Sequence, residues 1–208
     1  MKAAWFEQFG APESTLVVGT QPTPSPAPGE VLVRLVTSAV NPSDVKKRAG
    51  AFPHLLDEGL VIPHSDGAGV IEGVGEGVDP LRIGERVFVY QAQYGRRFGT
   101  AAEYVCLDAE RAAHLPDAAS FEVGACIGIP IMTAHRCVFA DGSVAGQTVV
   151  VTGGAGRVGY YAIQWAKWGG ARVIATASNA DDEATCRAVG ADHVVNHRDS
   201  AWENAVLE

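Results

Sequence analysis

The sequence predicts two successive architectures, a β-rich barrel or sandwich followed by the opening half of a doubly wound parallel α/β sheet. Three observations predict it. Short Val-rich runs broken by Gly and Pro fill the first part of the chain, the pattern of a compact all-β domain. After Pro116 the apolar residues change to helical spacing. Beyond that, Gly154-Ala155-Gly156-Arg157-Val158-Gly159 stands between an apolar run and a helical pattern, with another strand to follow.

The strands of the first part are read at "EVLVRLVTSAV" (Glu30 to Val40), "GAGVIEGVG" (Gly67 to Gly75), "ERVFVY" (Glu85 to Tyr90) and "AAEYVCLD" (Ala101 to Asp108). The stretch "QPTPSPAPGE" alternates Pro with small residues and reads as an extended loop entering a strand. Ser120, followed by Glu122, opens one or two helices. "TVVVTG" reads as a buried strand. Tyr161, Gln164, Trp165 and Trp168 then mark a helix that stops at Gly169-Gly170. "ARVIATAS" is a second strand. "NADDEATCRAVG" is a second helix, capped by Ser178 or Asn179 with acidic residues in its first turn. "ADHVVNH" is a third strand, completing a right-handed β-α-β-α-β unit. The division between the two parts is placed at residues 123 and 124.

Composition narrows the function classes. The 208 residues are 47% hydrophobic and 19% charged, enough for a packed core, and the net charge of -8 opposes nucleic acid or an anionic membrane as partner. No segment has the length of a membrane span, and the first residues lack a secretory apolar core, so the reading is cytoplasmic. Cys106, Cys126, Cys137 and Cys186 form no CxxC pair and read as reduced thiols packed in a core.

The glycine pattern carries the chemistry. Gly154 is assigned the tight turn, Gly156 the close approach of backbone to a pyrophosphate, and Gly159 the packing of helix on strand. Backbone N–H groups at the helix start would meet the diphosphate. The end of the second strand, Thr176-Ala177-Ser178, carries no carboxylate. NAD-selective folds place an acid there for the ribose 2′-hydroxyl, so its absence points to NADP. Asp181, Asp182 and Glu183 follow closely and are read as first-turn acids of the second helix, though they would weaken a phosphate site.

Four stretches, "NPSDVKKRAG", "PHSDGAGVIEGVGEGV", "GACIGIPIMTAHR" and "ADHVVNHR", resemble the zinc-independent quinone reductases of the medium-chain dehydrogenase/reductase superfamily, the group that includes zeta-crystallin. The resemblance implies a GroES-like barrel carrying the active site, followed by a Rossmann domain, and hydride transfer from NADPH to a quinone or similar conjugated carbonyl. It implies that Asn41 and Asp44 lie on the active-site loop beside the nicotinamide and that Thr133 approaches that ring. Ala155, Gly156, Arg157 and Val158 would cradle the pyrophosphate, and Ser178 and His197 would meet the adenosine side. Lys46 stands where the family usually has a Tyr; a lysine reaches a phosphate or amide but makes no aromatic wall. Asn41 can donate a side-chain N–H to a developing oxyanion.

His64 and Asp66 tempt a metal reading, but zinc needs three or four converging ligands. Zinc-using relatives place a Cys where Asn41 stands. The expectation is therefore no zinc, with His64 a hydrogen-bonded loop histidine. Two rivals follow from the same resemblance: an enoyl reductase, opposed by Phe52 where an acid Tyr belongs, and a crystallin-like protein that holds NADPH without turnover. A complete dinucleotide-binding sheet has about six strands, whereas this sequence reaches its third before Glu208. The chain is accordingly read as a fragment of a protein whose full-length form would be a homodimer, and the fragment alone as a weak binder of NADPH.

Overall fold

The computed structural model describes residues 1–200 and 202–207. They form two compact units, Met1–Ile129 and Pro130–Glu208. In chain order the first contains β1 (Lys2–Trp5), α1 (Pro12–Thr15), β2 (Val17–Thr20), β3 (Glu30–Ala39), α2 (Pro42–Arg48), β4 (Asp66–Val74), β5 (Arg86–Val89), β6 (Tyr104–Asp108), β7 (Ala112–His114) and α3 (Phe121–Cys126).

Five of these strands make an antiparallel sheet in the order β6-β3-β4-β5-β7. Alternation along β3 turns Val31 and Val33 inward, where they meet Ile71, Val87, Val89 and Leu107, all fully buried. Each such side chain contributes about 1.5–3 kcal/mol on leaving water. The β3–β4 register shifts at Leu32/Val33 and again at Leu35/Thr37; such irregularities bend a strand and raise its twist. The β1–β2 pair joins through Ala4 N–H to the Ala101 carbonyl (2.8 Å) and Glu103 N–H to the Lys2 carbonyl (3.0 Å). Sequence pattern finds β3 to β6 and passes over β1, β2 and β7, which are short and take their pairing from distant segments.

Ser120 caps α3 by accepting from Val123 N–H at 3.3 Å. The helix packs on β3, β4 and β5, and Thr37 Oγ1 donates to the Phe121 carbonyl at 2.8 Å. These contacts carry the first unit to Ile129, a few residues past the division read from the sequence.

The second unit follows the start of α4 (Ile129–Phe139) with β8 (Thr148–Val151), α5 (Arg157–Trp168), β9 (Arg172–Ala177), α6 (Ala180–Ala188), β10 (His193–Asn196) and α7 (Trp202–Leu207). Its three strands are parallel in the order β10-β9-β8, one half of a doubly wound sheet. β9 is buried from Val173 to Ala177 on both faces, as expected of a central parallel strand. Ile163, Ala166, Val173, Ala175 and Cys186 form the centre of the core. Gly170, at φ 83°, ends α5 as the sequence predicts.

Cys106 and Cys186 are buried thiols. Cys126 and Cys137 are exposed on α3 and α4, which corrects the expectation that all four pack in a core. No helix among the described residues is long and apolar enough to cross a membrane.

Candidate functional site

In the second unit, β8 ends at Val151 and the chain turns through the glycines into α5. The left-handed residue is Gly153, at φ 62°, so the tight turn belongs to it and not to Gly154. Gly154 is buried for another reason: a Cβ there would lie 2.7 Å from Cys186 Sγ and 3.0 Å from Ala175 Cβ. It lets the loop close onto α6 and β9. Gly159 has the packing role expected of it, since a Cβ would collide with the Gly153 carbonyl oxygen and reach 2.9 Å from Gly154 Cα.

The loop is pinned from the neighbouring strand. Gly153 N–H donates to Thr176 Oγ1 and Gly154 N–H to the Thr176 carbonyl, both at 2.9 Å. Gly156 then caps α5 without offering a side-chain acceptor, so the N–H groups of the first turn stay available for an anion. Ala155 is half-buried, while Gly156, Arg157 and Val158 are exposed around this end. An uncapped twelve-residue helix reached through a glycine cradle fits a diphosphate, and Arg157 adds a positive charge at the same end.

At the end of β9 the cap of α6 is Asn179, one of the two residues the sequence offered, its Oδ1 accepting from Asp182 N–H at 2.9 Å. The Asp182 carboxylate folds back: Ser178 Oγ donates to its Oδ2 at 2.7 Å and Asn179 Nδ2 to the same oxygen at 2.9 Å. Thr176-Ala177-Ser178 contains no acid, yet a carboxylate stands against Ser178. His197 is exposed, and its N–H donates to the Ala177 carbonyl at 3.1 Å, placing it beside the end of β9. Thr133 is exposed on α4.

In the first unit, Asn41 and Asp44 open a helix, where the resemblance implied a loop. Asn41 is the N-cap of α2, Pro42 its first residue and Asp44 its third. Asp44 Oδ2 accepts from Asn41 N–H at 2.7 Å. Both residues are buried, 5% and 4% exposed. Lys46, on the same helix, is exposed.

Asp66, the first residue of β4, ties this corner together. Its Oδ2 accepts from Asn41 Nδ2 at 2.9 Å and from Ile129 N–H at 2.7 Å. Asp66 is fully buried. Desolvation pushes its carboxyl up to about 6, against the pull of the donors from Ile129 and Asn41 and with the repulsion of Asp44. Close by, Lys47 Nζ donates to Gln93 Oε1 at 2.8 Å. Burial lowers the Lys47 pKa, and the negative Asp44 and Asp66 oppose that shift.

His64 adopts φ 76°, a conformation that His tolerates better than most residues. Hydrogen counting fixes its ring. Thr100 Oγ1 donates its one proton to the Asp66 carbonyl at 2.7 Å, so Ser38 Oγ donates to Thr100 Oγ1 at 2.8 Å. Ser38 must then accept from His64 Nδ1–H at 2.9 Å, which leaves Nε2 with the lone pair. Burial holds the His64 pKa below its ordinary value, with Asp44 opposing. Among the described residues no three His, Cys, Asp or Glu side chains come close enough to hold a metal.

Sequence reasoning missed the roles of Asp66, Lys47, Thr176 and Asp182. One signal was present for Asp66: an acid at the head of the otherwise apolar and glycine run "DGAGVI", a charge where a strand enters the core.

Residues 27–117 match the family "Alcohol dehydrogenase GroES-like domain", and residues 158–208 match "Zinc-binding dehydrogenase". The chain is 33% identical over 207 residues to a quinone oxidoreductase of Rattus norvegicus, covering 97% of this chain and 60% of that protein. It is 30% identical to a chloroplastic NADPH-dependent alkenal/one oxidoreductase of Arabidopsis thaliana, covering 95% of this chain and 52% of that protein. A mycobacterial structure in complex with NADPH superposes with a TM-score of 0.82 at 32% identity, over 100% of this chain and 62% of that one. The chain thus spans about 60% of the length of the rat relative it matches.

Proposed function

The chain belongs to the medium-chain dehydrogenase/reductase superfamily, and we propose that the protein is an oxidoreductase carrying hydride from NADPH to a quinone or similarly conjugated carbonyl. The observation that carries this reading is the glycine-built, uncapped start of α5, pinned by Thr176, in a chain whose relatives are named as quinone and alkenal/one oxidoreductases. A nicotinamide dinucleotide held there supplies the hydride.

The chain's own residues do the rest. The first turn of α5 and Arg157 hold the diphosphate. Asn41 gives one amide N–H to Asp66, which fixes the plane of the amide and leaves the second N–H to donate to the substrate oxygen as it gains charge. Asp44 holds the backbone of Asn41 at the helix start. A delocalised quinol or enolate anion needs no stronger electrophile, and an amide is no zinc donor, so the reading includes transfer without zinc. Metal analysis of the purified protein tests that part.

Asn41→Ala tests the whole. NADPH oxidation assayed against several quinones and enones should fall by about 10²-fold in kcat, the scale of one lost oxyanion donor, with dinucleotide binding unchanged. Turnover equal to wild type would remove Asn41 from the reaction. No oxidation of NADPH by the wild-type protein with any acceptor would remove the enzyme reading.

A further inference from the structure

His64 carries a ring at a position whose backbone favours glycine. At φ 76° it is, with Gln91, one of two non-glycine residues in the left-handed region among the described residues. Such a conformation persists where the surroundings over-determine it. Around His64, Thr100 N–H donates to the His64 carbonyl (3.0 Å), Ala101 N–H to the Pro63 carbonyl (3.1 Å) and Ala92 N–H to the Ser65 carbonyl (2.9 Å). The ring is held as firmly. Nδ1–H is spent on Ser38 Oγ at 2.9 Å, and the bonds from Ser38 to Thr100 and on to the Asp66 carbonyl fix that tautomer. Nε2 keeps its lone pair and has no hydrogen-bond partner among the described residues. It is not one of the buried polar atoms that lack a partner, so it opens to solvent.

The sheet brings this ring to the end where Asn41 stands. β3 and β4 finish their pairing at Ser38–Gly67 and Ala39–Asp66. Asn41, two residues past Ala39, and His64, two residues before Asp66, therefore leave the ladder at the same end. Asp66 Oδ2 holds the Asn41 amide. The Asp44 carboxylate, which accepts from Asn41 N–H, also acts electrostatically on the His64 ring. Lys47, the other titratable group of this corner, donates to Gln93.

We propose that His64 is a catalytic residue whose protonated Nε2 gives the proton that completes the reduction of an enone. The inference rests on the oxidoreductase reading above and adds its second half. Once an enone has taken hydride at its β-carbon, the C=C electron pair resides on the α-carbon and oxygen as an enolate, which lacks one proton. The Nε2–H bond breaks, its proton forms the new C–H bond at the α-carbon, and the electron pair stays on nitrogen. The product is the Nδ1–H imidazole seen here, and solvent returns a proton to Nε2. A reduced quinone makes a lesser demand, since its oxygen anion exchanges protons with water directly.

His64→Gly tests this, because φ 76° suits glycine and the variant should fold at least as stably as wild type. Enone turnover with NADPH should fall by about 10²-fold, the scale of one lost general acid. Quinone turnover should fall by less, and added imidazole should restore part of the enone rate. In wild type the enone kcat should fall as pH rises through the His64 pKa, which burial holds below its ordinary value with Asp44 opposing. Asp66, at about 6, titrates in the same region, so Asp66→Asn should keep this limb and His64→Gly should lose it. Nitrogen NMR of the histidine rings reads the site without turnover: the signal lost in His64→Gly should carry its proton on Nδ1 when the ring is neutral. An enone-to-quinone ratio unmoved in His64→Gly, a pH limb that survives it, or a neutral ring protonated on Nε2 would overturn the proposal while leaving the oxidoreductase reading intact. Oxidation of NADPH with neither acceptor would instead remove that reading, and the role of His64 with it.

Discussion

Asp66→Asn isolates the energetic burden of the buried acid beneath Asn41. The carboxyl is raised from its ordinary 3.8 to about 6, chiefly by desolvation. That gap corresponds to about 3 kcal/mol at about 1.4 kcal/mol per pKa unit. Because the folded state holds this proton more tightly than the unfolded chain, the stabilising contribution is complete below pH 3.8 and is lost as pH rises through about 6. Asn has the shape of the protonated acid, and its Oδ1 can accept both Asn41 Nδ2 and Ile129 N–H, the two bonds made by Oδ2. The variant should therefore match wild type near pH 4 and exceed it by up to about 3 kcal/mol at pH 8. Urea unfolding of both proteins across that range measures the difference. Taking the difference cancels opposing groups such as Asp192, whose pKa is held low by its bond to Lys167. A difference that stays flat from pH 4.5 to 7.5 would refute the reasoning, and one that grows as pH falls would reverse its sign.

Two further outcomes concern the glycine loop. Gly159→Ala drives a methyl into the Gly153 carbonyl and to 2.9 Å from Gly154 Cα, and should destabilise the protein by about 1–3 kcal/mol through overpacking; thermal unfolding no lower than wild type would contradict the close approach. Thr176→Val keeps the volume but removes the acceptor for Gly153 N–H. Because Gly153 is exposed, the loss should cost about 0.5–1.5 kcal/mol, the net worth of one hydrogen bond, and should weaken dinucleotide binding measured by titration, whereas unchanged affinity would show that the loop does not depend on its pin.

What was legible in the sequence is local. The glycine run, the apolar strand before it and the helical spacing after it are contiguous, and each rests on a short-range rule. The start of α2 was legible as well but was read otherwise. Asn41, Pro42 and Asp44 are an N-cap, a first-turn proline and an N3 acid, yet the same residues also signal a loop. The bond between Asn41 and Asp66 joins residues 25 apart on a helix and a strand, and no spacing rule brings those two elements together. Asp182 was visible as a first-turn acid, but its carboxylate reaches Ser178 only because Asn179 sets the entry into α6. The turn residue was misplaced by one because the pattern G-x-G-x-x-G does not distinguish a glycine needed for its φ from one needed for lack of a side chain.

The two bonds from Gly153 and Gly154 to Thr176 have a thermodynamic consequence. Fixing a flexible backbone residue costs about 1–2 kcal/mol, and a mobile glycine loop would meet that cost at each binding event. Here the loop is ordered by the sheet itself, so the loss of chain entropy is incurred once, in folding. On the proposed reading, a diphosphate would meet donors that already hold their positions, and its binding enthalpy would not be offset by a disorder-to-order change in the loop.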